Sequence, residues 1–198
     1  MTVSFGRAIT YLRVSVTELC NLRCQYCMPA EGVRKRSHAD MLTEEELLRA
    51  VRIAAQLGVT KVRVTGGEPL VKRNILSICR GIADIPGVQE LCLTTNGVLL
   101  PPLADELRAA GVRRVNLSLD TLDAEKYARI TRIGCLDDAL RGLDAALSAG
   151  FDRVKLNAVL LGGFNDDEIP ALAGLTRAYP VDVRFIEWMP IRWTAARC

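Results

Sequence analysis

Long apolar runs are missing from the 198-residue sequence. The longest, such as Ala158 to Leu161, fall far short of the roughly 20 residues that cross a bilayer. The N-terminus carries Arg7 and Arg13 but no uninterrupted apolar core of the kind a secretory leader needs. A strong charge of either sign is missing too, since 26 Lys plus Arg stand against 23 Asp plus Glu, a formal charge of +3. Composition therefore gives no reason to expect nucleic acid or a membrane as partner. No linker or low-complexity tract divides the chain, so one domain is expected over residues 1–190 with a short tail at 191–198. An even set of paired cysteines is also lacking. There are seven, in a chain long enough to fold without staples, which argues against a disulfide framework and for a reducing, cytoplasmic setting.

What the sequence does contain is a 49% hydrophobic composition arranged in a recurring phrase. A glycine is followed by an apolar residue, two mostly polar residues and then alternation, beginning at Gly58, Gly87, Gly111 and Gly150. Each reads as a helix-terminating glycine followed by a strand, over 58–64, 87–93, 111–117 and 150–156. Residues 11–17 and 181–188 read as strands as well, which makes six. Helical periodicity fills 43–57, 74–85, 102–110, 136–149 and 166–178, and the first of these has Thr43 as N-cap with Glu46 completing a capping box. Strands alternating with helices imply right-handed crossovers and a parallel α/β sheet. No dinucleotide fingerprint follows the first strand, so the expected architecture is a partial, six-stranded (β/α)6 TIM-like barrel rather than an open nucleotide-binding sheet. The polar, basic segment 31–40 is expected to be a mobile loop.

In such a sheet the residues just past each strand end gather on one face. That face receives Cys20, Cys24 and Cys27, then Thr65-Gly66-Gly67-Glu68-Pro69, Thr94 to Gly97, Ser118 to Asp120, Asn157, and Glu187 to Pro190. The C-x3-C-x2-C spacing suits three thiolates on three irons of a [4Fe-4S] cube, with the fourth iron left open to a small molecule. The alternatives are a zinc knot completed by His38 or a distant cysteine, and simple buried cysteines. Adjacent Gly66 and Gly67 allow a close backbone approach to a ligand, and Glu68 can accept hydrogen bonds from an ammonium group. Arg13, Arg63 and Lys155 alternate with apolar residues inside strands. Cations there are costly unless they meet an anion, and three from different strands can converge on a phosphate chain. The alternative is that each pairs with a carboxylate or snorkels at a strand end. Cys79, Cys92 and Cys135 read as buried or incidental thiols.

With these residues placed, the sequence resembles the radical S-adenosylmethionine superfamily, and within it the GTP 3′,8-cyclases of molybdenum cofactor biosynthesis. The likeness runs from Phe5-Gly-Arg7 through Cys20 to Pro29, Val64 to Leu70, Leu93 to Gly97, Val115 to Asp120, Lys155 to Asn157 and Gly163 to Asp166, ending at Arg184 to Pro190. The resemblance implies that Cys20, Cys24 and Cys27 bind one [4Fe-4S] cluster whose open iron chelates S-adenosylmethionine. It assigns Tyr26, Gly67, Ser118 and Met189 to that cofactor, alongside Gly66 and Glu68 from the glycine turn, and Arg13, Arg63, Thr94 and Lys155 to GTP. The implied reaction is reductive cleavage of S-adenosylmethionine to a 5′-deoxyadenosyl radical, hydrogen abstraction from C3′ of GTP, and bonding of that carbon to C8 of guanine. The radical chemistry then belongs to the cofactor, and the protein positions C3′ and excludes water and oxygen. An external electron donor is implied, and a homodimer is allowed. Family members continue past the Met-Pro segment into a region that binds a second cluster. Here the residues after Pro190 are Ile-Arg-Trp-Thr-Ala-Ala-Arg-Cys198, so one cluster is expected. Two other readings stay open: a radical enzyme with another substrate such as a peptide, and a non-catalytic barrel that binds nucleotide or associates with an intact homologue.

Overall fold

The computed structural model describes residue 6, residues 8–33 and residues 40–189. His38, Phe5, Arg7 and the tail at 191–198 lie outside the described residues, as does most of the basic segment expected to be a loop. Six strands form one sheet in chain order: β1 (Tyr11–Ser15), β2 (Lys61–Thr65), β3 (Glu90–Thr95), β4 (Val112–Ser118), β5 (Arg153–Leu160) and β6 (Val181–Glu187). Every pairing is parallel. The crossovers carry α1 (Glu44–Gln56), α2 (Ile75–Ala83), α3 (Ala104–Ala109), α4 (Ala124–Thr131), α5 (Leu136–Ser148) and α6 (Ile169–Ala178). This is the six-stranded partial barrel expected from the periodicity, with β1 and β6 as its two edges. Among the described residues no helix is long and apolar enough to cross a membrane.

A parallel sheet covered on both faces normally has strands that are apolar throughout. These strands alternate instead, and the register explains why. Arg13 stands beside Arg63, Thr94 beside Asn116, Asn116 beside Lys155, and Asn157 beside Arg184, so one face is polar. The other face carries Val62, Val64, Leu91, Leu93, Val115, Leu117, Val154 and Leu156, all buried with Ile78, Ile82 and Leu107 of the helices. Each large apolar side chain buried there contributes about 1.5–3 kcal/mol. The helix-covered side therefore holds the sheet, and the concave side is free to be polar.

Local chemistry sets the element ends. At α1, the Thr43 hydroxyl accepts from the Glu46 amide at 3.2 Å and the Glu46 carboxylate accepts from the Thr43 amide at 2.8 Å, the reciprocal cap expected. Other boundaries differ from expectation. The helix expected from residue 166 opens as a 3₁₀ turn, Asp166–Glu168, because Pro170 suits the first turn of a helix and not its interior. The strands expected to end at residues 93 and 156 continue to Thr95 and Leu160. Helix α4 was not expected. Asp123 caps it by accepting from the Lys126 amide at 2.8 Å, and Tyr127, Ile130 and Thr131 are its buried residues.

Candidate functional site

The three cysteines lie on the loop that leaves β1, and that loop is held from two sides. On one side it docks on the end of α4. The Arg23 amide donates to the Thr131 carbonyl at 3.0 Å, the Gln25 amide to the Ile130 carbonyl at 2.9 Å, and the Gln25 side chain to the Arg129 carbonyl at 2.7 Å. Carbonyls left over at a helix C-terminus are thus satisfied by the cysteine loop. Returning the contact, Arg132 Nη1 donates to the carbonyls of Arg23 and Met28. Within the loop, the amides of Cys27 and Met28 both donate to the Cys24 carbonyl, which closes a turn from Cys24 to Met28.

On the other side lies Gly66-Gly67-Glu68, just past β2. The Gly67 amide donates to the Thr17 carbonyl at 2.7 Å and the Glu68 amide to the Leu19 carbonyl at 2.8 Å. A Cβ on Gly66 would stand 2.5 Å from the Thr17 carbonyl oxygen, and one on Gly67 only 2.4 Å from that of Leu19. Glycine is required because two backbones lie directly against each other. Glu68 is only 1% exposed. Its carboxylate, expected to meet an ammonium group, accepts from the Leu70 amide at 3.0 Å, the Thr95 hydroxyl at 2.7 Å and the Asn96 amide at 2.7 Å. It ties the end of β2 to the end of β3. Burial pushes its pKa up, while the three donors pull it back.

The thiols are all free, and burial pushes each of them up, Cys24 to about 12 with the Asp120 carboxylate adding to the effect. A metal loading this loop must therefore displace protons. Among the described residues, no three metal-binding side chains gather tightly enough to hold a single ion. Three soft thiolates on one loop suit a cluster that keeps one iron open, whereas structural zinc takes four protein ligands.

A cavity of about 490 Å³ opens on the concave face, lined by Arg13, Arg63, Thr94, Asn116, Asn157, Arg184, Phe185 and Ile186. Four polar atoms there are buried without a partner: Arg63 Nε, Thr94 Oγ1, Asn116 Nδ2 and Asn157 Oδ1. Leaving a buried polar group unpaired costs about 1–3 kcal/mol. Four at one cavity, mostly donors, are what an anionic, oxygen-rich ligand would satisfy.

Of the cations singled out in the sequence, Arg13 and Arg63 line the cavity with Thr94. Lys155, 8% exposed, is held instead by Asp182 at 2.8 Å. Arg184 takes its place on the cavity wall. In the sequence, Arg184 and Asn116 stand out only as parts of the segments that carry the family likeness. Both carry the signal that Arg13 carries, a polar residue alternating with apolar ones inside a strand. Of the residues assigned to the cofactor, Tyr26 donates to Asp120 Oδ2 at 2.6 Å, and Asp120 Oδ1 accepts from the Val159 amide at 2.8 Å, which joins the cysteine loop to β5. Ser118 ends β4 beside Asn157, and Met189 stands past β6, 74% exposed.

A family model described as the Radical SAM superfamily matches residues 14–176. The chain belongs to the radical S-adenosylmethionine superfamily. Membership implies one [4Fe-4S] cluster and S-adenosylmethionine as its cofactors. The residues fit both, with three unpaired thiols on one loop and a glycine strap whose bare backbone adjoins it. Among radical S-adenosylmethionine proteins, the chain is 50% identical over 191 residues to the GTP 3′,8-cyclase of Alkaliphilus metalliredigens, covering 96% of this chain and 60% of that one. It is 54% identical over 187 residues to the GTP 3′,8-cyclase of Geobacter sulfurreducens, covering 94% and 57%. The chain spans about 60% of the length of the curated relatives it matches. The fold is that of Streptococcus suis SuiB bound to S-adenosylmethionine, with a TM-score of 0.78 at 20% identity over 92% of this chain and 41% of that one. It is also that of methylornithine synthase, at 0.73 and 20% over 94% and 56%.

Proposed function

We propose that this chain is a GTP 3′,8-cyclase of molybdenum cofactor biosynthesis, acting on GTP with electrons from an external donor in the reducing cytoplasm. One observation carries the reading: the cysteine loop leaves β1, the same strand whose Arg13 walls a cavity with Arg63 and Arg184. Relatives named for that reaction, at 50% and 54% identity, support it.

In this reading Cys20, Cys24 and Cys27 hold the cluster, and Tyr26, Gly66, Gly67, Glu68, Ser118 and Met189 frame S-adenosylmethionine. When bound, the cluster supplies the electron that cleaves S-adenosylmethionine to the radical which takes hydrogen from C3′ of GTP. The remaining work belongs to the chain. Arg13 and Arg63, joined by Arg184, neutralise the triphosphate through charge-assisted hydrogen bonds, and Lys155 adds its charge once freed from Asp182. Thr94 and the two asparagines orient the nucleotide with their unpaired polar atoms. Glu68 and Asp120 are buried beside the strand ends, which leaves little room for water at that side of the site.

Anaerobic reconstitution with iron, sulfide and a reductant tests the proposal. The expected result is S-adenosylmethionine cleavage coupled to conversion of GTP to a cyclised nucleotide. Cleavage that leaves GTP intact points to a radical enzyme with another substrate, and iron uptake without cleavage points to the non-catalytic reading. Cys24→Ala is expected to abolish iron binding and cleavage together, and retained cleavage would contradict the ligand assignment.

A further inference from the structure

We infer that Arg132 is a positioning residue for the cluster loop, pinning both ends of the turn that carries Cys24 and Cys27 and so setting the spacing of those two thiols. The inference rests on the cluster reading above, and it starts from a backbone anomaly. Arg132 is the residue that ends α4, with φ +65° and ψ −35°. Among the described residues it is the one non-glycine with positive φ. A helix that stops this way ordinarily does so at glycine, which takes positive φ without steric penalty. An arginine here strains the backbone, and strain of this kind points to a job for the side chain.

The job is visible in its contacts. A single nitrogen, Arg132 Nη1, donates to the Arg23 carbonyl at 2.6 Å and to the Met28 carbonyl at 2.9 Å. These two carbonyls immediately flank the segment from Cys24 to Cys27. The inside of that turn is closed by the Cys24 carbonyl, which accepts from the amides of Cys27 and Met28. The outside is closed by the Arg132 guanidinium, which bridges the Arg23 and Met28 carbonyls. Docking of the loop on α4 through Ile130 and Thr131 uses backbone atoms, so it survives any replacement at 132. The staple can therefore be removed without undocking the loop.

Arg132→Gly and Arg132→Lys, compared with the unaltered chain, separate this role from a general structural one. Glycine relieves the backbone while deleting the staple, so the iron-free Arg132→Gly chain is expected to melt at or above the unaltered temperature. After anaerobic reconstitution it should lose iron to a chelator about 10-fold faster, the lower end of what outer-shell changes cost metal sites. The electron paramagnetic resonance spectrum of its reduced cluster should also change, with and without S-adenosylmethionine. Lysine, whose ammonium has three donors, should recover most of the retention. An Arg132→Gly chain with unaltered iron loss and spectrum overturns the inference. One that melts well below the unaltered chain overturns it too, since the arginine would then be holding the fold rather than the ligands.

Alkylation of the iron-free proteins gives an independent arm. Cys24 and Cys27 should react several-fold faster with iodoacetamide in Arg132→Gly, and equal rates would overturn the inference. If the unaltered chain takes up no iron, the cluster reading fails, and the positioning role is still decided by the alkylation rates.

Discussion

A methyl group at residue 67 would stand 2.4 Å from the Leu19 carbonyl oxygen and 2.6 Å from that of Glu18. Both are backbone atoms, so nothing flexible can yield. Gly67→Ala is therefore expected to push the glycine strap off the cysteine loop at a cost of about 1–3 kcal/mol, read as a fall of several degrees in the melting temperature of the iron-free chain. Next to it, Glu68 makes a pH prediction with a definite sign. Its folded pKa lies above the ordinary carboxylate value because burial disfavours the charge. Below the ordinary value both folded and unfolded chains hold the proton and nothing is lost. As pH rises past it the unfolded chain ionises first, so the folded state loses stability until its own pKa is passed. Glu68→Gln should flatten that slope in denaturation curves taken across the mildly acidic range. It should also cost about 1–3 kcal/mol at neutral pH, because the new amide group faces one of the three donors.

Helix α4 shows what an element of eight residues can decide. Its last carbonyls hold the cysteine loop, so a cavity beneath it reaches the site. Ile130→Ala should destabilise the chain by about 2–5 kcal/mol in thermal or denaturant unfolding and lower iron retention in the same protein. This helix was not legible in the sequence, for a physical reason. Its buried face is only Tyr127, Ile130 and Thr131, and the threonine is accommodated by donating its hydroxyl to the Tyr127 carbonyl at 2.7 Å. Such a short, partly polar stripe does not stand out from a loop, although Asp123 was an available start signal. The strands and longer helices were legible because glycines at 58, 87, 111 and 150 mark where helices stop and strands begin. Cys20, Cys24, Cys27, Arg13 and Arg63 were legible because their spacing or their place among apolar neighbours is itself local. The inward turn of Glu68 was not, since Thr95 and Asn96, its partners, lie on another strand's end. Nor was the capture of Lys155 by Asp182, which only the pairing of β5 with β6 brings about.

Across the sheet, side chains divide by face, with apolar ones under the helices and Arg13, Arg63 and Arg184 on the cavity side. Arg63→Ala should weaken GTP binding by about 10-fold or more, as loss of a charge-assisted hydrogen bond to phosphate requires. Asp182→Asn should act in the opposite direction, because it releases Lys155 toward the ligand and removes a negative charge from the same wall. Titration calorimetry at two salt concentrations checks both, and the difference between the variants should shrink as salt rises. Arg13 and Arg184 sit on the first and last staves of a hoop that never joins, yet they face one hollow. A polyanion gripped from both rims becomes the clasp that the backbone does not provide. Filling the hollow should consequently stiffen the two outermost staves together, a change that slower amide hydrogen exchange along them would register.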